Sequence, residues 1–285
     1  MYWITEPFAS IATQRALLAG ILAAVLCAVA GSWVLIRGLT FLGDAMAHGM
    51  LPGIAMATLL GGNPLIGATA SALAMAAGVG AMTGQRRIGG DTAIGVLFVG
   101  MLALGVVIVS RSNSFTVDVT AILFGDLLAV RGVDVVVLAV ATGLAVVLAA
   151  LGHRAFTAVS VDERLAVGLG YRPTLVTAAQ ILLLTLAVVA SFHVVGTLLV
   201  FGLLIAPPAA AALWAPRVGV MMLGAAAVGA ASTVVGLVLS WHLATAAGAT
   251  VALTAVGVFT LSALASAAHR RRPRRPSRPS QEIPA

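Results

Sequence analysis

Along most of this chain apolar residues follow one another with no polar partner at helical or strand spacing. Runs near the roughly 20 residues needed to cross a bilayer fall at 16–36, 45–61, 63–83, 93–110, 134–152, 174–206, 218–240 and 247–268. They predict helices, because open strands cannot span lipid and barrel strands alternate polar with apolar residues. The run at 174–206 is too long for one straight span, and Gly196 after "ASFHVV" is expected to divide it, so the count is eight or nine. Between two runs, "AILFGDLLAV" (121–130) predicts a short partial helix, with Asp126 as its cap or at an entrance. Trp33, Trp214 and Trp241 fall near predicted span ends, as an aromatic belt does.

The polar interruptions orient the spans. Arg gathers in "GQRRIGGD" (84–91, with Arg86, Arg87 and Asp91), in 152–172 and after residue 269, and these segments are expected on the cytoplasmic side. Nine crossings then place the N-terminus outside and the C-terminus inside. His153 and His269 stand beside Arg at span ends and read as solvated interfacial groups.

Composition sharpens the class. The 285 residues are 61% hydrophobic and 9% charged, with mean hydropathy +1.11, whereas soluble domains carry about 25% charged residues. The chain reads as an all-α integral membrane protein, a polytopic bundle of eight or nine transmembrane helices. One transmembrane domain (1–268) precedes a disordered Arg/Pro-rich tail (269–285). A net charge of +7 suggests nucleic acid, but six Arg lie from Arg270 onward and the remaining ten face eight acids. Nucleic-acid binding is therefore rejected. The tail is expected to touch anionic lipid on the inner face of the plasma (inner) membrane. Cys27, the one cysteine, reads as a small hydrophobe. The chain has no Lys and no P-loop, so it is not expected to hydrolyse ATP and is read as no enzyme.

Against this background "FLGDAMAHGM" (41–50) stands out. Asp44 and His48, at i and i+4, stack on one helix face. An acid at mid-membrane costs about 3 kcal/mol, and such residues face the protein interior and serve transport or proton traffic. The pair could bind each other, a proton or a cation. Carboxylate oxygen and imidazole nitrogen suit zinc, manganese or iron. Two ligands do not make a site, but two copies about a twofold axis would bring four together. Pro52 and Gly53 follow and are expected to kink the helix. A second polar island, "SVDERLAVGLGYRP" (160–173), predicts a short cytoplasmic helix, capped by Ser160 and closed by Gly170, that could dock into a partner's groove.

"FLGDAMAHGMLPGIAMA", "GGDTAIGVLF", "ILFGDLLAV", "VDERLAVGLG", "VVGTLLVFGLLIAPPAAA" and "GATVAL" occur in that order. Over about residues 12–265 the chain resembles the permease subunits of zinc and manganese ATP-binding cassette importers, the ABC-3 family. The resemblance implies a homodimeric permease with no permanently bound cofactor and a transported zinc or manganese ion. Its implied partners are a cytoplasmic ATP-binding subunit and an extracytoplasmic metal-binding protein. It implies that Asp44 and His48 contact the metal. It also implies that 160–171 is the coupling helix, with Asp162, Glu163, Arg164 and Gly168 engaging the ATPase. Two departures from the family's Gly-Asp-Ala-x-Ser-His-Ala stand out: Ala47 for the Ser, whose hydroxyl could orient the site, and Gly49 for the Ala. His193 and His242 are lesser metal candidates; near His242, Ala244 and Ala247 stand where the family often has Asp and Pro. Competing readings are a permease for iron chelates or a vitamin, which needs no intramembrane metal ligands, and a proton-coupled secondary carrier, which the polar helix at 160–171 disfavours. An intramembrane hydrolase lacks its H-E-x-x-H motif here.

Overall fold

In a computed structural model, Phe8 and residues 10–83, 90–110 and 127–270 are described, excepting the side chains of Thr83, Leu128 and His193. Arg86, Arg87, Asp126, most of the partial helix at 121–130 and the tail beyond Arg270 lie outside the described residues. The rest is helical: α1 (Ile11–Ile36), α2 (Thr40–Gly49), α3 (Leu51–Leu59), α4 (Pro64–Thr83), α5 (Gly90–Ser110), a 3-10 turn (Leu127–Ala129), α6 (Gly132–Val161), α7 (Glu163–Gly168), α8 (Pro173–Ala212), α9 (Val218–Leu243) and α10 (Ala247–Arg270).

Eight helical segments among the described residues are long and apolar enough to cross a membrane, with α8 contributing two, Pro173–Phe192 and Val194–Ala212. The division falls at Gly196, whose φ of 77° and ψ of 165° are non-helical. That φ lies in the region glycine enters without a steric penalty. Cys27 Sγ on α1 lies 4.0 Å from Ser191 Oγ and 3.9 Å from Val200 O. Those two atoms are thus at most about 8 Å apart, although nine residues of straight helix rise about 13.5 Å. The first limb of α8 passes α1 from Arg37 (near Gln180) to Cys27 (near Ser191). The second returns from Cys27 (near Val200) to Gly31 (near Leu204). The chain doubles back, and the division expected from Gly196 is present.

The run expected at 45–61 is instead two short helices that begin at Thr40. Met50 separates them, and Pro52 has no N–H to donate to the preceding turn. α4 antiparallels α3 so closely that a methyl on Gly53 would meet the carbonyl of Gly67, and the reverse. Neither α2 nor α3, at 10 and 9 residues, is long enough to cross a membrane alone, so the expected span is a broken pair. α6 also outruns its prediction. It continues to Val161, so 152–161 is helix rather than loop, and Ser160 belongs to α6 instead of capping the next helix.

One end of the bundle collects the charge. Arg37 lies beside Glu163 there. Trp214 Nε1 donates to Ser262 Oγ at 2.7 Å, and its ring stands 6.4 Å from that of His269. Arg172, Arg217 and Arg270 close or open helices at this same end. Trp214 and Trp241 are exposed, as a belt requires. Trp33 is not part of a belt: it is buried against Phe156 and His153, whose ring centroids lie 5.4 and 5.7 Å away. His153 is therefore a packing partner inside α6 and not a solvated end group.

Small residues set the spacing of the core. A Cβ on Gly31 would run into the carbonyl of Leu204, and one on Gly20 into the side chain of Thr233. Hydroxyls within spans donate to the carbonyl four residues back, as Ser32 does to Ala28 at 2.7 Å and Thr142 to Leu138 at 2.7 Å. Ser232 departs from this: its Oγ is buried with no partner among the described residues. A buried unpaired hydroxyl is a net cost, and Ala is the better helix former. Ser232→Ala is accordingly expected to stabilise by about 1 kcal/mol, read as a higher melting temperature in detergent; a lower one would contradict the expectation.

Candidate metal-transfer site

α2 buries Leu42, Gly43, Ala45, Met46, Ala47 and Gly49. Besides Thr40 at its start, what remains is a stripe of Phe41, Asp44 and His48, at i, i+3 and i+7, with Phe41 44% exposed and the Asp44 and His48 side chains 30% and 26%. Helical periodicity places an aromatic ring, an acid and an imidazole on the one face of α2 that the described residues leave partly exposed.

His48 Nε2 and Asp44 Oδ1 are 3.7 Å apart, too far for a hydrogen bond. The imidazole is instead placed by packing. Phe98 of α5 meets it edge-on at 5.5 Å, and the same ring meets Phe41 at 5.7 Å. The carbonyl of Gly49 accepts from Ser71 Oγ at 2.7 Å, which pins the end of α2 to α4. Ser71 and Phe98 lie in the central parts of α4 and α5, so the pair sits near mid-depth in the bundle.

The departures at 47 and 49 acquire a physical meaning. Ala47 is buried, so a hydroxyl at that position would sit off the open stripe. At Gly49 an added methyl would meet Met75 Sδ, so glycine there admits the thioether of α4.

Among the described residues no three His, Cys, Asp or Glu side chains come together to hold a metal. His242 lies in the last turn of α9. α9 antiparallels α1, with Thr233 at Gly20 and Gly229 at Ala24, so His242 belongs to the end of the bundle away from Arg37 and does not join Asp44 and His48. The side chain of His193 lies outside the described residues. Among the described residues one chain therefore presents two part-exposed donors on this face, an oxygen and a nitrogen.

At the charged end, α7 is six residues long and narrower than the 160–171 expected. Its cap is Asp162, whose carboxylate accepts from Arg164 N at 2.7 Å. Gly170, at φ 83°, closes it, with Tyr171 N donating to Ala166 O at 3.0 Å. Ala166 is its buried residue, while Glu163, Arg164 and Gly168 are exposed, the last with open space around it. Sequence reasoning missed Arg37. Its Nη1 donates to Thr177 Oγ1 at 2.9 Å and Gln180 Oε1 at 2.6 Å, and its Nη2 stands 3.5 Å from Glu163 Oε1. Burial lowers the pKa of this guanidinium from its ordinary value and Glu163 opposes the shift, yet an arginine stays charged. The available signal was a lone Arg between two apolar runs, followed by Gly38.

Residues 10–266 match the ABC 3 transport family. The manganese transport system membrane protein MntC of Listeria innocua is 35% identical over 251 residues, 88% of this chain and 89% of that protein. The probable iron transport system membrane protein of Haemophilus influenzae is 32% identical over 260 residues, 91% of this chain and 96% of that protein. Among solved structures, PsaBC from Streptococcus pneumoniae in complex with Fab superposes with a TM-score of 0.80 at 32% identity, over 91% of this chain and 94% of that one.

Proposed function

The chain belongs to the ABC 3 transport family, and on that premise we propose that two copies of it form the translocation path of a manganese importer. The open stripe of α2 carries the reading. An acid and an imidazole at mid-depth, left partly exposed by the described residues, would cost about 3 kcal/mol or more against lipid. A second copy related by a twofold axis removes that cost and completes a four-donor set from two Asp44 and two His48. Carboxylate oxygen and imidazole nitrogen hold a divalent first-row ion. The broken α2–α3 crossing leaves room for coordination to change as the ion passes, which release demands.

The exposed α7 is the surface on which a separate ATP-binding subunit docks, with Glu163, Arg164 and Gly168 facing it and Asp162 fixing the helix start. An extracytoplasmic metal-binding protein delivers the ion at the opposite end. The Arg-bearing end is cytoplasmic by the positive-inside rule, so α10 ends on the cytoplasmic side of the plasma membrane. Ferrous iron is the second cargo considered, since the relative from Haemophilus influenzae is described as an iron transporter and the same donors suit iron.

Proteoliposomes containing this chain, its ATP-binding subunit and the metal-binding protein test the reading. ATP-dependent uptake of manganese is expected, outcompeting equal concentrations of ferrous iron and zinc. Preferential uptake of either of the other ions would reassign the cargo, and no uptake of any divalent ion would reject the function.

A further inference from the structure

α1 ends in a tight junction. Arg37 is its C-cap, Gly38 takes φ 68°, Leu39 N donates to Val34 O at 2.9 Å, and α2 begins at Thr40. Three residues, Arg37 among them, thus separate α1 from the helix that carries Asp44 and His48. This arrangement leaves little slack, because the junction is itself hydrogen-bonded.

The Arg37 guanidinium reaches across to two other elements. One nitrogen holds Thr177 and Gln180, about one turn apart on the first limb of α8, and the other faces Glu163 of α7. Gln180 in turn donates from Nε2 to Ser160 Oγ at 3.2 Å, in the last turn of α6. The ends of α1 and α6, the start of α7 and the base of α8 are therefore joined through one side chain and its partner amide. Leu39 and Leu42 line the same small cavity as Arg37, Gln180 and Leu184, so the first turn of α2 rests on the α8 segment that Arg37 grips. The Arg37 side chain is 15% exposed and Glu163 63%, so the ion pair itself adds little stability; its value is directional.

We propose that Arg37 is a positioning residue that carries movement of α7 to Asp44 and His48, by clasping Glu163, Thr177 and Gln180 while capping the helix that leads into α2. Docking of a partner on α7 shifts Glu163 and the base of α8; Arg37 follows, and α2 turns with it as one rigid ten-residue helix. The proposal rests on the transporter reading above.

Its test uses the assembled transporter in proteoliposomes. Arg37→Gln is expected to leave ATP hydrolysis within about twofold while manganese uptake falls about tenfold, inside the 5- to 150-fold range of typical couplings. ATP consumed per ion rises by the same factor. Gln180→Met, which removes one acceptor and leaves the charge in place, is expected to give a smaller change in the same direction. An unchanged ratio of ATP to ion, or a parallel loss of uptake and hydrolysis, would overturn the proposal and leave Arg37 a supporting residue. Phe41→Cys, on the part-exposed stripe, reads the movement with no metal present, since Cys27 is buried. Its alkylation rate should change with ATP in the otherwise unaltered protein and not in Arg37→Gln. If the parent protein moves no divalent ion, the cargo reading fails, and this labelling difference still decides whether Arg37 transmits.

Discussion

Asp44→Ala and His48→Ala should each cut manganese uptake by about a hundredfold or more, beyond the 10- to 100-fold that loss of an outer partner of a metal ligand typically costs. In the proposed twofold pair each substitution removes two donors at once, because both copies change together. Neither should disturb assembly. The two side chains are 3.7 Å apart without a hydrogen bond, and both lie on the open face of α2. His48 gives up its edge contact with Phe98, worth about 1 kcal/mol. Loss of Asp44 breaks no hydrogen bond to His48, so the melting temperature should hold. Radioactive manganese uptake, read with size-exclusion profiles of the assembled complex, makes the comparison. Undiminished uptake in both variants would sink the assignment, and collapse of the complex would show that the residues serve the fold.

Gly31→Ala should be among the most damaging single-methyl changes. The added Cβ would point into the carbonyl of Leu204, with Pro208 packed alongside. These atoms belong to the returning limb of α8 and its backbone, so no side-chain rotamer relieves the clash. α1 and that limb must separate, at a cost of about 3 kcal/mol, the upper end for overpacking. Gly143→Ala is the control: the space around its Cβ is open, and replacing a helical glycine should be neutral or gain about 0.5–1 kcal/mol. Thermal melting of both variants in the same detergent measures the difference. Equal melting temperatures would mean that the helices tolerate wider spacing than their packing indicates.

Much of this architecture is legible from one dimension. A membrane span needs only length and low polarity, so most of the predicted runs reappear as crossing helices. The division of α8 was readable because Gly196 is a residue that takes positive φ freely. Predictions failed where a boundary depends on contacts between elements. His153 looked interfacial beside Arg154, but α6 continues for two further turns and turns that ring onto Trp33. Ser160 looked like a cap by residue type, yet Asp162 holds the position because its carboxylate reaches Arg164 N.

The candidate site divides in the same way. Asp44 and His48 were readable because an acid and an imidazole are conspicuous in oil and their spacing alone puts them on one face of a helix. Periodicity could not say whether that face looks inward or out, since α2 is apolar nearly all round. The sequence could mark Arg37 only as a lone Arg between two apolar runs; its partners Glu163, Thr177 and Gln180, more than a hundred residues away, could not be read. By itself the sequence determined a polytopic helical membrane protein, its breaks and its two-donor motif, because these depend on local composition and short-range spacing. Only the tertiary structure decided that the motif lies on a part-exposed face near mid-depth, and that one arginine at the end of the preceding helix reaches α7. Both depend on long-range packing, which local periodicity does not encode.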